Sequence, residues 1–527
     1  MSAGHKIGLA AIATACAAAL LTTGALPAAA DDRGSFGDVP YANPWSGIQN
    51  NVLSPGLRQT SVAWGSLPLT NPDTGNGITN YGYNFAALRD TTIPITMTQN
   101  AHEAWKTEPD KNVYLVIGGH HYLYQGHETG TRGYVTRVDL DATTDATRVT
   151  LITDVDNLGA ALPTFDGITW DPFTSQLLLT SENKFSGTPR GGVWAVMLDA
   201  SGNPTSAAVP QYALGSGAYE GIQNDSDGNL WIAEDNGGAA SNGGKLPNTF
   251  IYRFIPTNKA DLAQGGVLQA LQVIRKDNTP ATWTQLQNPA DPFEVDVHTY
   301  GNSFKTGWVT VHTGTAAAAF DASGTAQTAG ATPFKRPENG VFRPGSNFGE
   351  FYFTETGDTT STSNLPGAYG AVFRLSQKSP SATTGTLSPF WLGDIQHTGF
   401  DNIQFASRDT VLVVEDAGDG LHKSRNALDS GYAVQVSDDS KAPKVTRWLA
   451  EGRDSSAYYD SASNPGYNDG DNEITGIHVS DGDPSVGGIL GAKSPNLFDG
   501  SWRGFWTQQH GDNITWELLP VTGDNHS

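Results

Sequence analysis

Five short segments each place a carboxylate beside a glycine or asparagine, or directly at the start of a β-branched run. They are FDGITW (165–170), YEGIQN (219–224), PENGVF (337–342), FDNIQF (400–405) and EITGIHV (473–479). Their acids are Asp166, Glu220, Glu338, Asp401 and Glu473. A second apolar run follows each segment. In all but the last it ends in acids: Glu182, Glu234 with Asp235, Glu355, and Glu415 with Asp416. Carboxylates brought close together repel unless they are neutralised, and hard cations with oxygen ligands are the usual answer. Acids and glycines also populate ordinary turns. Repetition at matched positions is what lifts the set above that reading. Among the histidines, His120, His121 and His127 cluster with Glu128, and His510 follows Gln508 and Gln509 where the other units carry acids. No G-x-S-x-G elbow or Walker A loop occurs.

Elements that could bring such acids together must themselves repeat. Each unit reads as an apolar strand, a turn such as Asn224-Asp225-Ser226-Asp227-Gly228, and a second strand, which is a hairpin. Further strands follow in most units, as in GGVWAVML (191–198) and GAVFRLS (370–376). Three or four strands per repeat make a propeller blade, and inner strands of blades face a common axis. A sixth unit with strands NVYLVIGG, GYVTRVDL and ATRVTLIT precedes the five. The fold class expected is therefore all-β, a six-bladed β-propeller with long inter-blade insertions. Glu220 and Glu338 lie far apart, so residues 258–333 read as an insertion, with a seventh blade as the alternative. Helix is expected to be sparse, with 257–265 and 282–287 the better candidates. Trp170, Trp231 and Trp506 are expected to pack between blades. Residues 31–100 read as an N-terminal arm or cap, and 101–520 as the propeller.

The 527 residues carry 54 acidic and 31 basic side chains, a formal charge of −23. That excludes a basic nucleic-acid footprint and suits cation binding, or simple solubility. Lys6, an apolar Ala-rich stretch and Ala28-Ala29-Ala30 read as a signal peptide over residues 1–30. The expectation is a secreted or periplasmic chain cleaved near Ala30, with no membrane contact in the mature form and a monomeric state. Cleavage removes Cys16, the one cysteine, so no thiolate site survives. No twin-arginine pair is present, which implies export of an unfolded chain.

These blocks, in this order, resemble the PhoX-type alkaline phosphatases, a family of secreted bacterial propellers, over roughly residues 100–515. FKRPENG (334–340) followed by FYFTETGD, GFDNIQF followed by VLVVEDAGD, AYEGIQN followed by IAEDN and IYRFIP, and NEITGIHV followed by TQQHGDN carry the likeness. The resemblance implies hydrolysis of small-molecule phosphate esters at calcium and iron ions. Glu220, Glu338, Asp401 and Glu473 become candidate metal ligands, joined by Glu182 and Asp235. Arg336 and Asn402 become candidate phosphate-binding or site-orienting groups, and His510 a candidate general acid. The family's iron-ligating cysteine is missing; Asp166 stands in its block, so a calcium-rich site is expected and Fe3+ is the less favoured metal. Two other readings stay open: a lactonase-like hydrolase, and a non-catalytic calcium-stabilised binding propeller.

Overall fold

The computed structural model describes residues 35–46, 49–65, 67–72, 81–82, 107–128, 133–436, 441–452, 473–509 and 513–521. The expected leader and His510 lie outside these residues. The described part is an antiparallel β structure with short helices, arranged as a propeller. Each repeat begins with an inner strand: Pro109–Ile117, Ile168–Asp171, Tyr219–Asn224, Pro337–Phe342, Phe400–Ser407 and Glu473–Ser480. Each inner strand pairs with the strand that follows it, and further strands add outward. The second strands are near-continuous apolar runs, such as Val411-Leu412-Val413-Val414. The reason is that the sheets are covered on both faces and these residues are buried throughout. The turn at 225–229 shows how the hairpins are held. Asp225 accepts from the backbone N–H of Asp227 and Asn229 at 2.9 and 3.0 Å and from Trp231 Nε1 at 2.9 Å, and Gly228 supplies a φ of +87°.

The inner strands pack against one another in a closed cycle. Pro109–Ile117 lies against Ile168–Asp171, and the cycle runs through the others until Glu473–Ser480 returns to Pro109–Ile117. The apolar core is divided in the same way. Separate clusters fill the junctions between successive units, for example Leu179 with Tyr124 between the first and second, and Phe505 with Tyr114 between the last and first. Trp231 and Trp506 are fully buried in two of these clusters, while Trp170 packs at the edge of a third.

Residues 258–333 add outer rather than inner strands. Gly266–Ile274 extends the third unit, and Phe304–Gly314 pairs both with it and with Gly385–Leu392 of the fourth, so these two units share one nine-stranded sheet. Of the two expected helices, Trp283–Leu286 forms under a capping box of Thr282 and Gln285. In the 257–265 stretch only a 3-10 turn, Leu262–Gln264, forms before Gly265 ends it. The N-terminal segment runs along the rim. Val52–Leu53 pairs with the fifth unit, Leu57–Trp64 forms the outermost strand of the sixth, and Leu69–Thr70 lies parallel to Val149–Thr153 of the first. Among the described residues no helix is long and apolar enough to cross a membrane.

Candidate metal centre

A local irregularity opens most of the inner strands, and in four of them it carries the acid. In the first, third, fourth, fifth and sixth units the ladder slips at the start of the inner strand: between Pro109 and Asn112, Tyr219 and Ile222, Pro337 and Gly340, Phe400 and Ile403, and Glu473 and Gly476. Such bulges re-aim side chains, and they are common beside functional sites. The bulged residues include Asp110, Glu220, Glu338 and Asp401; Asp166 holds the matching place in the second unit, where its N–H bonds to Thr180. One backbone bond recurs beside them. The residue that ends the second strand donates to the carbonyl two places before the acid: Glu128 to Glu108, Asp235 to Ala218, Thr356 to Arg336 and Asp416 to Gly399, at 2.7–2.9 Å. Three of those acceptor residues, Glu108, Arg336 and Gly399, have left-handed backbones with φ of 39°, 58° and 66°. For Arg336 this is an uncommon conformation that the surrounding loop must hold in place.

Neighbouring units are tied around the ring by side chains rather than by ladder bonds, from second strands as well as inner ones. Thr354 Oγ1 donates to the carbonyl of Asp401 at 2.6 Å, Thr475 Oγ1 to that of Pro109 at 2.8 Å, and Thr180 Oγ1 to that of Glu220. Asn402 belongs to this set. Its Nδ2 donates to the carbonyl of Thr475 at 2.9 Å and its Oδ1 accepts from the N–H of Ile403 at 3.0 Å. Its amide thus works on backbone.

The acids meet in overlapping groups. Carboxylate oxygens of Asp110, Asp166 and Glu220 lie within 4.8 Å of one another, as do those of Glu128, Asp166 and Glu182, and those of Glu182, Glu220 and Glu338. Asp166 also accepts from the N–H of Glu182 at 3.0 Å, and Gln509 donates to Glu128 at 2.7 Å. Arg336 joins the other side. Its Nε and Nη2 hold Asp235 at 3.0 and 2.8 Å, and Nη2 reaches Glu338 at 3.4 Å. Thr356 Oγ1 donates to Glu338. Lys111 is buried in the same place, its Nζ 3.3 Å from Asn339 Oδ1.

Burial, and then the repulsion of neighbouring carboxylates, pushes Asp110, Asp166, Glu182, Glu220, Glu338 and Asp401 well above the ordinary carboxylate range. Burial pulls Lys111 down to about 8, while Asp110, Asp401 and Glu220 hold it up. Burial also works against the charge of Arg336, but Asp235 and Glu338 outweigh it and hold the guanidinium well above its usual value. Asp401 Oδ1 is buried with no hydrogen-bond partner among the described residues. An all-oxygen donor set with an orphaned carboxylate oxygen fits a hard cation.

The strand ends divide by direction. Glu234 turns into apolar packing, bonded by Tyr252 Oη at 2.7 Å, and burial raises it to about 7; the next residue, Asp235, faces Arg336. Glu355 turns to His298 at 2.8 Å, and Glu415 to Arg425 through both oxygens at 3.1 Å. Asp416, next to Glu415, acts instead on Glu338 and Asp401. Glu473 is one place out of register. It pairs with Gln509 as Phe400 pairs with Glu415, so Ile474 holds the position of Asp401; its charge still acts on Asp401. His127 is buried and bonded to Thr107 and Thr136, and His120 and His121 lie at the far end of that hairpin. Two ring members are absent from the sequence reading, Asp110 and Lys111. Pro109-Asp110-Lys111-Asn112 opens its strand as Pro337-Glu338-Asn339-Gly340 does, and that spacing was the available signal.

The model of the family described as alkaline phosphatase PhoX matches residues 173–484. No curated protein sequence matches this chain. Among solved structures, Pseudomonas fluorescens PhoX in complex with vanadate, a transition-state analogue, is similar with a TM-score of 0.53 at 13% identity, covering 93% of this chain and 98% of that one. The PQQ-bound aldose sugar dehydrogenase of Streptomyces coelicolor reaches a TM-score of 0.37 at 12% identity, covering 78% of this chain and 94% of that one. At such identities the structural likeness speaks for fold alone, and of these two the PhoX structure has the TM-score above half. The propeller and the family model agree: this chain belongs to the PhoX family of alkaline phosphatases.

Proposed function

We propose that this chain is an exported, monomeric, six-bladed phosphatase that hydrolyses small-molecule phosphate esters at a calcium-rich centre in the middle of its ring. The observation that carries the reading is Arg336 set between Asp235 and Glu338 at the edge of clustered carboxylates. That is a cation-binding set with a phosphate-complementary fork beside it. Asp110, Asp166, Glu182, Glu220, Glu338 and Asp401 would hold the ions, with Asp235 and Glu473 at the margin. Bound calcium supplies positive charge toward phosphoryl oxygens and acidifies coordinated water.

The chain's own groups do the rest. Asp235 fixes the plane of the Arg336 guanidinium through Nε and Nη2, so its other donors are oriented for phosphate before substrate arrives. Thr356 orients Glu338, and Asn402 orients Asp401 by fastening its strand to Thr475. His510 would donate a proton to the leaving oxygen. With no thiolate in the mature chain, Asp166 takes the cysteine's place and calcium is favoured over iron. The reading includes export after cleavage near Ala30, which would let the ring fill outside the cell. The deciding assay is p-nitrophenyl phosphate hydrolysis with and without chelator, followed by calcium or iron add-back. Activity lost to chelator and restored by calcium, together with an inactive Glu338→Gln, is the expected result. Hydrolysis indifferent to chelator, or a fully active Glu338→Gln, would overturn it.

A further inference from the structure

We infer that Lys111 is a tethered cation of the carboxylate ring, a positive charge held by the chain where a further metal ion would otherwise bind beside Asp110 and Glu220. The inference rests on the metal reading above and extends it to a residue outside the proposed ligand set. Lys111 follows Asp110 in the bulge of the first inner strand and is 1% exposed. A lysine is almost never buried without compensation. Its backbone N–H donates to Asp110 Oδ1 at 2.6 Å, but the hydrogen-bond partner of its side chain among the described residues is a neutral amide. Nζ donates to Asn339 Oδ1 at 3.3 Å, across the ring in the fourth unit, and Asn339 Nδ2 reaches Glu220 Oε1 at 3.4 Å. The compensation must therefore come from the surrounding carboxylates as a group.

Comparison of the repeats isolates this residue further. The place after the ring acid is held by Gly167, Gly221, Asn339 and Asn402, and by Thr475 in the offset sixth unit; none is charged. Two of these places admit no side chain at all. A Cβ on Gly221 would fall 2.6 Å from the carbonyl oxygen of Glu338, and one on Gly167 would fall 2.2 Å from that of Glu220. The first unit thus gives a long cationic side chain to a slot that other units keep narrow or neutral. A covalently held amine cannot dissociate from the ring, so while it is protonated part of the ring's charge is answered before any ion binds. Removing it leaves the same carboxylates with one positive charge fewer and a space open to a cation.

The test uses the mature full-length protein with Lys111→Gln, Lys111→Met and Lys111→Arg. Lys111→Gln keeps a donor toward Asn339, which guards against a variant that fails only by misfolding. Each protein is equilibrated with excess calcium and desalted. Its metal content is then measured by elemental analysis and its melting temperature followed with and without chelator. We expect Lys111→Gln and Lys111→Met to hold at least one further calcium per chain than wild type and to lose more melting temperature in chelator. Lys111→Arg should match wild type in both. Equal calcium content and an equal chelator shift for folded Lys111→Gln and wild type would overturn the inference. Wild type that retains no metal would instead overturn the metal reading beneath it.

Discussion

Stripping metal from the ring should make the protein's stability fall as pH rises, the reverse of what most salt-bridged carboxylates produce. Asp110, Asp166, Glu182, Glu220, Glu338 and Asp401 are all held above their ordinary range by burial and mutual repulsion. At the 4.8 Å limit of the clusters, two carboxylate charges repel by about 3 kcal/mol at an effective dielectric of about 20. The metal-free ring therefore folds by keeping protons that the unfolded chain releases near pH 4. A raised folded pKa gives stability that is complete below that pH and is lost as pH climbs toward the folded value. Each extra proton held makes the loss about 1.4 kcal/mol per pH unit. On the calcium reading the ion takes the deprotonated ring, so its stabilising effect should grow over the same range and its uptake should expel protons. Urea unfolding between pH 5 and 9, in chelator and in saturating calcium, measures both slopes. Calorimetry in buffers of different ionisation enthalpy counts the protons. Metal-free stability that stays flat or rises between pH 5 and 9, or calcium uptake without proton release, would refute the reasoning.

Four further outcomes can be checked. Arg336→Lys should lower kcat/KM for p-nitrophenyl phosphate by about 10²-fold or more, because an ammonium cannot span Asp235 and Glu338 while presenting a planar fork; a kinetic comparison with wild type decides it. His510→Gln should slow alkyl phosphates far more than p-nitrophenyl phosphate, whose leaving group needs no proton, and equal slowing of both would remove the general-acid role. Glu234→Gln should melt higher than wild type at pH 8, by the equivalent of about 1–3 kcal/mol, and the gap should close below pH 5. Burial has raised Glu234 to about 7, so its ionisation costs stability above that pH. Arg425→Met should lower unfolding stability by about 3–5 kcal/mol in urea, since it strands the buried carboxylates of Glu415 and Asp429, at 3.1 and 2.9 Å from the guanidinium.

The propeller was legible because its repeat couples strand patterning to chemistry. FDNIQF and VLVVEDAGD announce an inner strand, a turn and a strand end in one stretch, and the acids fall where the backbone bulges. Direction was not legible at the strand ends. Glu234 and Asp235 are adjacent acids, and sequence cannot say which one turns to Tyr252 and which to Arg336, because that depends on how the last ladder bond twists the strand. Asp110 escaped for a related reason. Its partner in the bulge is a lysine rather than the glycine or asparagine of most other units, so the shared motif is broken at one letter while the backbone is the same. Asn402 reads as either a phosphate-binding or a site-orienting group, and its two backbone bonds favour the second role. The rim path of residues 49–72 rests on pairings as short as two residues, Val52–Leu53 and Leu69–Thr70, which leave no periodic trace.

That rim path bears on the order of assembly. Leu57–Trp64 pairs along its length with Ile514–Pro520, near the opposite end of the chain. The sixth sheet is therefore complete only after Ile514–Pro520 has been made, and pairing the two strands closes a loop that runs through all the other units. Such closure is slow and entropically costly. The ring carboxylates come from five successive units, so they reach their final separations only when the circle shuts. On the metal reading, a cation gathered there would act as a clasp on the closed circle, favouring the one topology in which its donors converge.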